Sequence, residues 1–425
     1  MDYNVIERIE KVKALQIPDD LKKSQVGLIP KRWNIETLNS ISLGPGKYGA
    51  NASAVEYSEK LPTYLRITDI DENGRLRKNK LRSVNISDSE NYKLKNGDLV
   101  FTRTGATTGK TYLYNVNDGE LVYAGFLIKF SLDLKKVVPK FITAITKTDY
   151  YDSWVCVMST RSGQPGINSK EYGELCLPIP PIEEQQKIAE ILTTWDKAIE
   201  LKEKLVEEKK KKKNGLMQRL LTGKVRLKGF KSEWKEVKLG NVLKERKETN
   251  FNELELLAIT GKKGVVRRNQ VNIKDNSNED KSKYKRICKL DIGYNTMRMW
   301  QGVSGVSEYE GIVSPAYTIL KPTEKVNSYF IGYLFKLPQI INLFWRNSQG
   351  LTGDTLNLKY PNLKVIRVKL PMNLEEQKAI ANILITVDKE IEILTEELEA
   401  LKVQKKGLMQ LLLTGIVRVN NDNKQ

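Results

Sequence analysis

The sequence predicts an α+β chain: two mixed α/β globules separated by two long helices that pair antiparallel as a coiled coil, with a pseudo-twofold internal repeat. Three observations predict it. GLMQRLLTG at 215–223 returns as GLMQLLLTG at 407–415 with eight of nine letters kept, and EEQQKIAEIL at 183–192 returns at the same offset as EEQKAIANIL at 375–384. Both copies carry apolar residues at steps of three and four, the period of a helix with one buried face. The stretches before them read instead as short strands punctuated by turn residues.

In chain order, a charged N-terminal segment (1–25) starts MDYNVIERIEKV and does not read as a secretory signal. Globule one (26–180) opens GLIPKRW at 27–33. It carries YLRITDI at 64–70, DLVFTRT at 98–104 and LVYAGFLIKF at 121–130, separated by ENG, NGD and NDG turns. The first helical spacer (181–227) has Pro181 in its first turn, Glu183 and Glu184 against the dipole, and Gly223 as its stop. Its pairing stripe is Ile188, Leu192, Trp195, Ile199, Val206, Leu216 and Leu220. Globule two (228–371) opens GFKSEW at 229–234, and beyond these openings the globules diverge. The second spacer (372–418) starts with a capping box of Asn373 and Glu376 and stops at Gly415; 419–425 is a tail. Its stripe is Ile380, Leu384, Val387, Ile391, Leu394, Leu398, Leu401, Leu408 and Leu412.

Each helix of about 40 residues spans roughly 60 Å. Such a stripe must be buried, and the other copy is the nearest partner. Chain order makes the pairing antiparallel, with one globule expected at each end. Gly215 and Gly407 cost about 1 kcal/mol each against Ala; close helix approach or a kink would justify them, and tolerated drift is the alternative. The run KKKKK at 209–213 reads as a solvated helix face, or else as a contact to phosphate or to an acidic partner.

Composition narrows the function. A chain of 425 residues supplies two or three domains, and 40% hydrophobic with 29% charged residues reads as a soluble globular protein. No apolar run approaches the roughly 18 residues of a membrane span, so no membrane partner and a cytoplasmic location are expected. Cys156, Cys176 and Cys288 are scattered, with no C-x-x-C spacing for a metal site or disulfide framework. The absence of histidine removes the usual general base and the commonest metal ligand. A net charge of +19 points to a polyanion, because each Lys or Arg on a phosphate releases a condensed counterion.

Several motifs come close to chemistry without supplying it. GATTGKT at 105–111 has three residues between its glycines where a phosphate-binding loop needs four, and YLYNV follows as strand. It reads as a polar hairpin loop that leaves Arg103, Thr104 and Lys110 free to reach DNA. SPAY at 314–317 lacks the second proline of an amine-holding methyltransferase loop and reads as buried strand. PDD at 18–20 lacks the remaining elements of a nuclease site. No catalytic and no metal-binding residue is expected. What remains are side chains that read base edges: Arg pairs with guanine O6/N7, and Asn or Gln with adenine N6/N7. Globule one offers Arg66, Arg103, Thr104, Lys110, Arg161, Ser162, Gln164 and Asn168; globule two offers Arg267, Arg268, Asn269, Arg298, Gln301, Arg346, Asn347 and Gln349. For any one of them an ordinary exposed side chain is the alternative; the case rests on recurrence in both halves.

P-x-P-P-I-E-E-Q-Q-K-I-A at 178–189, L-P-M-N-L-E-E-Q-K-A-I-A at 370–381, the two GLMQ-x-LLTG ends, G-x-I-P-x-x-W at 27–33 and GDLVFTRTGATTGK at 97–110 together resemble the specificity subunit of type I restriction–modification enzymes. The resemblance spans nearly the whole chain, with Pro-Met-Asn standing where the second junction usually has Pro-Pro. It implies that the globules are target recognition domains, each reading half of a bipartite double-stranded DNA site. The helices then set the spacer and dock two DNA adenine methyltransferase subunits, and motor–nuclease subunits join the complex. It also implies a non-catalytic chain that binds no cofactor, with S-adenosylmethionine, ATP and Mg carried by the partners. A stand-alone bivalent DNA-binding regulator and a complete methyltransferase are the competing readings.

Overall fold

Both repeated segments fold as single unbroken helices, Ile182–Leu220 (39 residues) and Leu374–Leu413 (40 residues). The computed structural model describes residues 3–160, 165–261, 263–271, 280–353 and 355–419. The chain forms two compact units. One comprises Met1–Leu201 with Leu398–Gln425, the other Lys202–Glu397, so each unit takes half of each long helix.

The helices run antiparallel. In the second unit Lys202 bridges Glu397, Lys209 bridges Glu390 and Lys213 bridges Asp388, so partners descend along one helix as they ascend the other. In the first unit Lys405 bridges Asp196 at 2.6 Å. Part of the lysine run is thus a zipper between helices, while Lys211 pairs with Glu207 on its own helix. The pairing stripe is buried by more than its partner helix. Ile188, Leu192 and Leu412 enter the core of the first unit beside Trp33 and Phe141, with Leu408 packed on it. Leu220, Ile380 and Leu384 enter the core of the second unit beside Trp234 and Phe330, with Leu216 packed on it. Ile199 and Leu398 are buried near mid-helix, and Trp195, Val387, Ile391 and Leu394 are half-buried.

Helix ends follow the predicted signals with one correction. Gly223 and Gly415 adopt φ of +69° and +66°, conformations that favour glycine. A Cβ on Gly415 would fall 2.3 Å from Pro30. The capping box is only half made: Asn373 Oδ1 accepts from the amides of Glu375 and Glu376, but the Glu376 carboxylate is taken by Arg226 and Trp234. A charged guanidinium outcompetes a backbone amide for it. Gly215 and Gly407 have nothing within 4 Å of an added Cβ, so close helix approach does not account for them.

Each globule contains its own four-stranded sheet, and the two sheets have the same design. In the first, the strand order is Lys47–Tyr48, Leu127–Ser131, Asp98–Thr102, Thr111–Leu113; in the second it is Leu243–Arg246, Tyr317–Pro322, Ile292–Asn295, Ser304–Val306, antiparallel throughout. A helix pair follows the sheet in both, Pro139–Ile145 with Asp149–Ser159 and Ser328–Leu334 with Pro338–Asn347. The globules therefore diverge less than their sequences suggest. SPAY is not a buried strand: Gly311–Val313 and Tyr317–Pro322 flank a turn closed by the Tyr317 amide on the Ser314 carbonyl, with Pro315 and Ala316 exposed. Proline fits that turn and cannot donate to a ladder.

Candidate nucleic-acid interface

In each unit one hairpin of this sheet projects a loop, residues 103–110 in the first and 296–303 in the second. Each contains a 3₁₀ turn, Gly105–Thr107 and Met299–Gln301. Each returns to its second strand through a glycine with positive φ, Gly109 at +92° and Gly302 at +76°. A Cβ there would strike Val155 at 2.7 Å or Ile341 at 2.8 Å, side chains of the second helix of each pair. Glycine lets the loop sit down on that helix. Two buried phenols clamp the first loop: Tyr151 donates to the Gly109 carbonyl at 2.8 Å and Tyr172 to the Thr102 carbonyl at 2.9 Å. Burial pushes both hydroxyls above the ordinary tyrosine range, so they stay protonated donors.

A second loop, following the helix pair, packs against the first. In the first unit the Ile167 amide bonds the Arg103 carbonyl and the Gly105 amide the Pro165 carbonyl. In the second the Leu358 amide bonds the Thr296 carbonyl, and the Tyr294 hydroxyl donates to the Leu358 carbonyl at 3.0 Å. Arg103 and Thr104 are thus brought beside the loop ending at Asn168. Arg298 and Gln301 lie on an exposed face beside the helix that ends in Arg346 and Asn347, with Gln349 just beyond it. Arg161, Ser162 and Gln164 lie outside the described residues.

The individual side chains differ in freedom. Arg103 stacks on Tyr48, 4.8 Å from the ring centroid, and its Nε is buried without a partner. It lines a cleft of about 590 Å³ with Tyr48, Arg66 and the exposed Phe126. Arg66 is held across that cleft by Asp69, which accepts from Nε at 2.9 Å and Nη2 at 2.7 Å. Lys110 is not free as expected: it bridges Glu72 at 2.6 Å, an ion pair that lowers the Glu72 carboxyl below its ordinary range. Asn168 spends its side-chain oxygen capping a short helix at the Glu171 amide, and Asn347 donates back to the Leu343 carbonyl. Arg267 faces Tyr309 and Glu255, and Asn269 is exposed beyond it. With Arg268 they lie at the end of the 257–267 hairpin away from its turn, whereas the turn end lies against the strand following the Arg298 loop, where Gly264 abuts Gly305.

Three of the five unsatisfied buried polar side-chain atoms among the described residues lie on these loops, the others being Arg8 Nε and Thr323 Oγ1. The three are Arg103 Nε and Thr107 Oγ1 on the first hairpin loop and Asn357 Oδ1 on the second unit's packing loop. Such atoms are rare in native folds and collect where a ligand completes the bonding.

Sequence reasoning missed a second duplicated constellation. In the first unit the buried Glu184 accepts from Arg418 Nε at 2.7 Å, Arg418 Nη2 at 2.8 Å and Trp33 Nε1 at 3.1 Å. In the second the buried Glu376 accepts from Arg226 Nε at 2.7 Å, Arg226 Nη2 at 2.8 Å and Trp234 Nε1 at 3.3 Å. The neighbouring Gln185 and Gln377 side chains each accept from the amide of the residue that caps the first helix of the pair, Val138 or Asn327, and donate to two carbonyls. The E-E-Q motif and the T-G-x-V-R ends are therefore one device, which seats each globule on the helices.

Among the described residues no helix is long and apolar enough to cross a membrane. Residues 54–210 and 231–403 each match the family model described as type I restriction modification DNA specificity domain. A Methanocaldococcus jannaschii protein assigned as the MjaX specificity subunit of a type I restriction enzyme is 26% identical, over 94% of this chain and 97% of its own length. The MjaVIII specificity subunit of the same organism is 30% identical over 64% of this chain and 69% of its own length. The type I restriction–modification S subunit of M. genitalium has the same fold, with a TM-score of 0.56 at 16% identity, covering 93% of this chain and 97% of that one.

Proposed function

Because the chain belongs to the type I restriction–modification DNA specificity family, we propose that it is the subunit that gives such an enzyme its DNA sequence. Each recognition domain, 26–180 and 228–371, reads one half of a bipartite double-stranded target. The antiparallel helices set the unread spacer and dock two adenine methyltransferase subunits, and motor–nuclease subunits complete the assembly. The chain performs no chemistry itself; S-adenosylmethionine, ATP and Mg are bound by its partners, and the complex works in the cytoplasm.

One observation carries this reading: the paired hairpin loops, one per unit, present Arg103 and Arg298 on equivalent turns of equivalent sheets in a chain of net charge +19. Two readers joined by rigid helices bind as a bivalent ligand, the second half-site being met at high effective concentration only when spacing and helical phase match. The cleft at Arg103 suits a guanine edge, with the Tyr48 ring holding the guanidinium flat. The test is to map methylated adenines in cells with and without the gene. A bipartite motif that vanishes with the gene supports the assignment; an unchanged methylation map refutes it. Replacing 26–180 with another recognition domain should alter one half-site and leave the other.

A further inference from the structure

Resting on that reading, we propose that Tyr333 adds to the shared clamp a second lock between the second recognition domain and the two long helices, and that its counterpart Ala144 leaves the first domain without this lock. Positions 333 and 144 then determine how strictly spacer length is read.

The two junctions are copies. Val137, Phe141, Ile142 and Lys147 match Val326, Phe330, Ile331 and Lys336 across the equivalent helix. On the long helices, Asp196 with Lys405 matches Asp388 with Lys213 in the duplicated segments. In the second unit a ring completes the junction. Tyr333 donates its hydroxyl to Asp388 Oδ2 at 2.7 Å, Lys213 bridges the other Asp388 oxygen, and the Lys213 ammonium lies 5.4 Å from the Tyr333 ring centroid. Domain and both helices thus meet in one bonded cluster. Three residues on, Lys336 donates to the Gly302 and Ser304 carbonyls at 2.8 and 2.7 Å, tying the same helix to the hairpin loop that presents Arg298 and Gln301.

In the first unit the aligned residue is Ala144. The helix bridge Asp196–Lys405 persists, but no ring joins it to the domain. A cavity of about 300 Å³ is lined there by Ala144, Lys140, Lys147, Asp196, Lys405 and Met409. Lys147 donates instead to the Asn73 carbonyl within its own domain at 2.8 Å. The Tyr333 linkage has no counterpart at Ala144; there the domain meets the long helices through the Glu184 clamp and an exposed Lys406–Asp149 ion pair at 3.1 Å.

The test uses the chain co-expressed with its methyltransferase, reading methylation at sites whose spacer is one base pair longer or shorter than cognate. Tyr333→Phe removes only the bond to Asp388 and should raise the off-spacer to cognate ratio about fivefold, the equilibrium effect of one typical net hydrogen bond. Ala144→Tyr should lower that ratio and raise the midpoint of thermal unfolding. Half-site sequences stay the same in both variants. An unchanged ratio in a folded Tyr333→Phe complex, or a changed half-site, overturns the proposal. Wild-type chain that directs no bipartite methylation refutes the functional assignment instead.

Discussion

Replacing Arg226 with methionine tests the clamp that seats the second domain. The Glu376 side chain is 0% exposed and keeps no solvent contact to fall back on, while Arg226 is 31% exposed. The variant leaves a buried carboxylate with Trp234 Nε1 at 3.3 Å as its best remaining donor. Breaking a buried pair on one side costs about 3–5 kcal/mol. The partly exposed arginine lets water reach the site, so about 3 kcal/mol is expected. For a unit of this size that is a drop of roughly 6–12 °C in unfolding temperature. Urea unfolding followed by tryptophan fluorescence reads it directly, since Trp234 is part of the clamp. The double variant Arg226→Met with Glu376→Met should recover most of the loss, because an apolar pair of similar volume often matches a buried ion pair. A single-variant cost under about 1 kcal/mol, or a double variant no better than the single, would show that the charge pair is not what seats the domain.

Other outcomes follow from the same geometry. Burial, with repulsion from Lys213 behind it, pushes the Lys336 amine down from 10.5 to about 8. The unfolded state binds that proton more tightly, so stability should rise from about pH 8 to about pH 10.5 and the gain should be lost as pH falls back through 8; in Lys336→Met this slope in urea midpoints disappears. Gly215→Ala and Gly407→Ala meet open space on exposed helix faces and should each stabilise the isolated chain by about 0.5–1 kcal/mol; destabilisation in urea would mean that an unseen constraint acts there. Arg103→Ala should relax one position of one half-site in a methylation map, and relaxation in both half-sites would refute separate reading. Shortening both helices together by about one turn, within 196–212 and opposite it, should shift the preferred spacer with half-sites intact, whereas cutting one helix alone misaligns Lys202–Glu397 and Lys209–Glu390 and should abolish function.

The helices were legible because their information is local: period, caps and stops lie within a few residues of one another, and the duplication repeats them. The clamp was not, because its partners lie 150 and 234 residues apart in sequence. Local spacing pairs Glu376 with its nearest amide, but a distant arginine holds it. The shared globule architecture left a trace that a single offset passes over. Val137–Lys147 realigns with Val326–Lys336 at 189 positions and Gly109 with Gly302 at 193, against 192 for the helices, so small insertions in the connecting loops disguise it. The apolar flanks of SPAY make it resemble strand; its proline is the contrary signal. Arg103 and Arg298 stand out in the sequence as base-reading side chains, but only strand order reveals that they occupy equivalent loops.

The clamps also explain why a helix ending is written twice with so little change. Each T-G-x-V-R end closes on a tryptophan and glutamate belonging to a unit other than the one in which its helix starts. A substitution in Arg226 therefore acts on the domain containing Trp234, and one in Arg418 on the domain containing Trp33. The hairpin loops proposed to read bases can change without touching these contacts, since none of the clamp residues lies on them. On the proposed reading, DNA recognition and assembly therefore rest on separate residues. This is the physical condition under which one recognition domain can be exchanged while its tryptophan, and hence its seat on the helices, is kept.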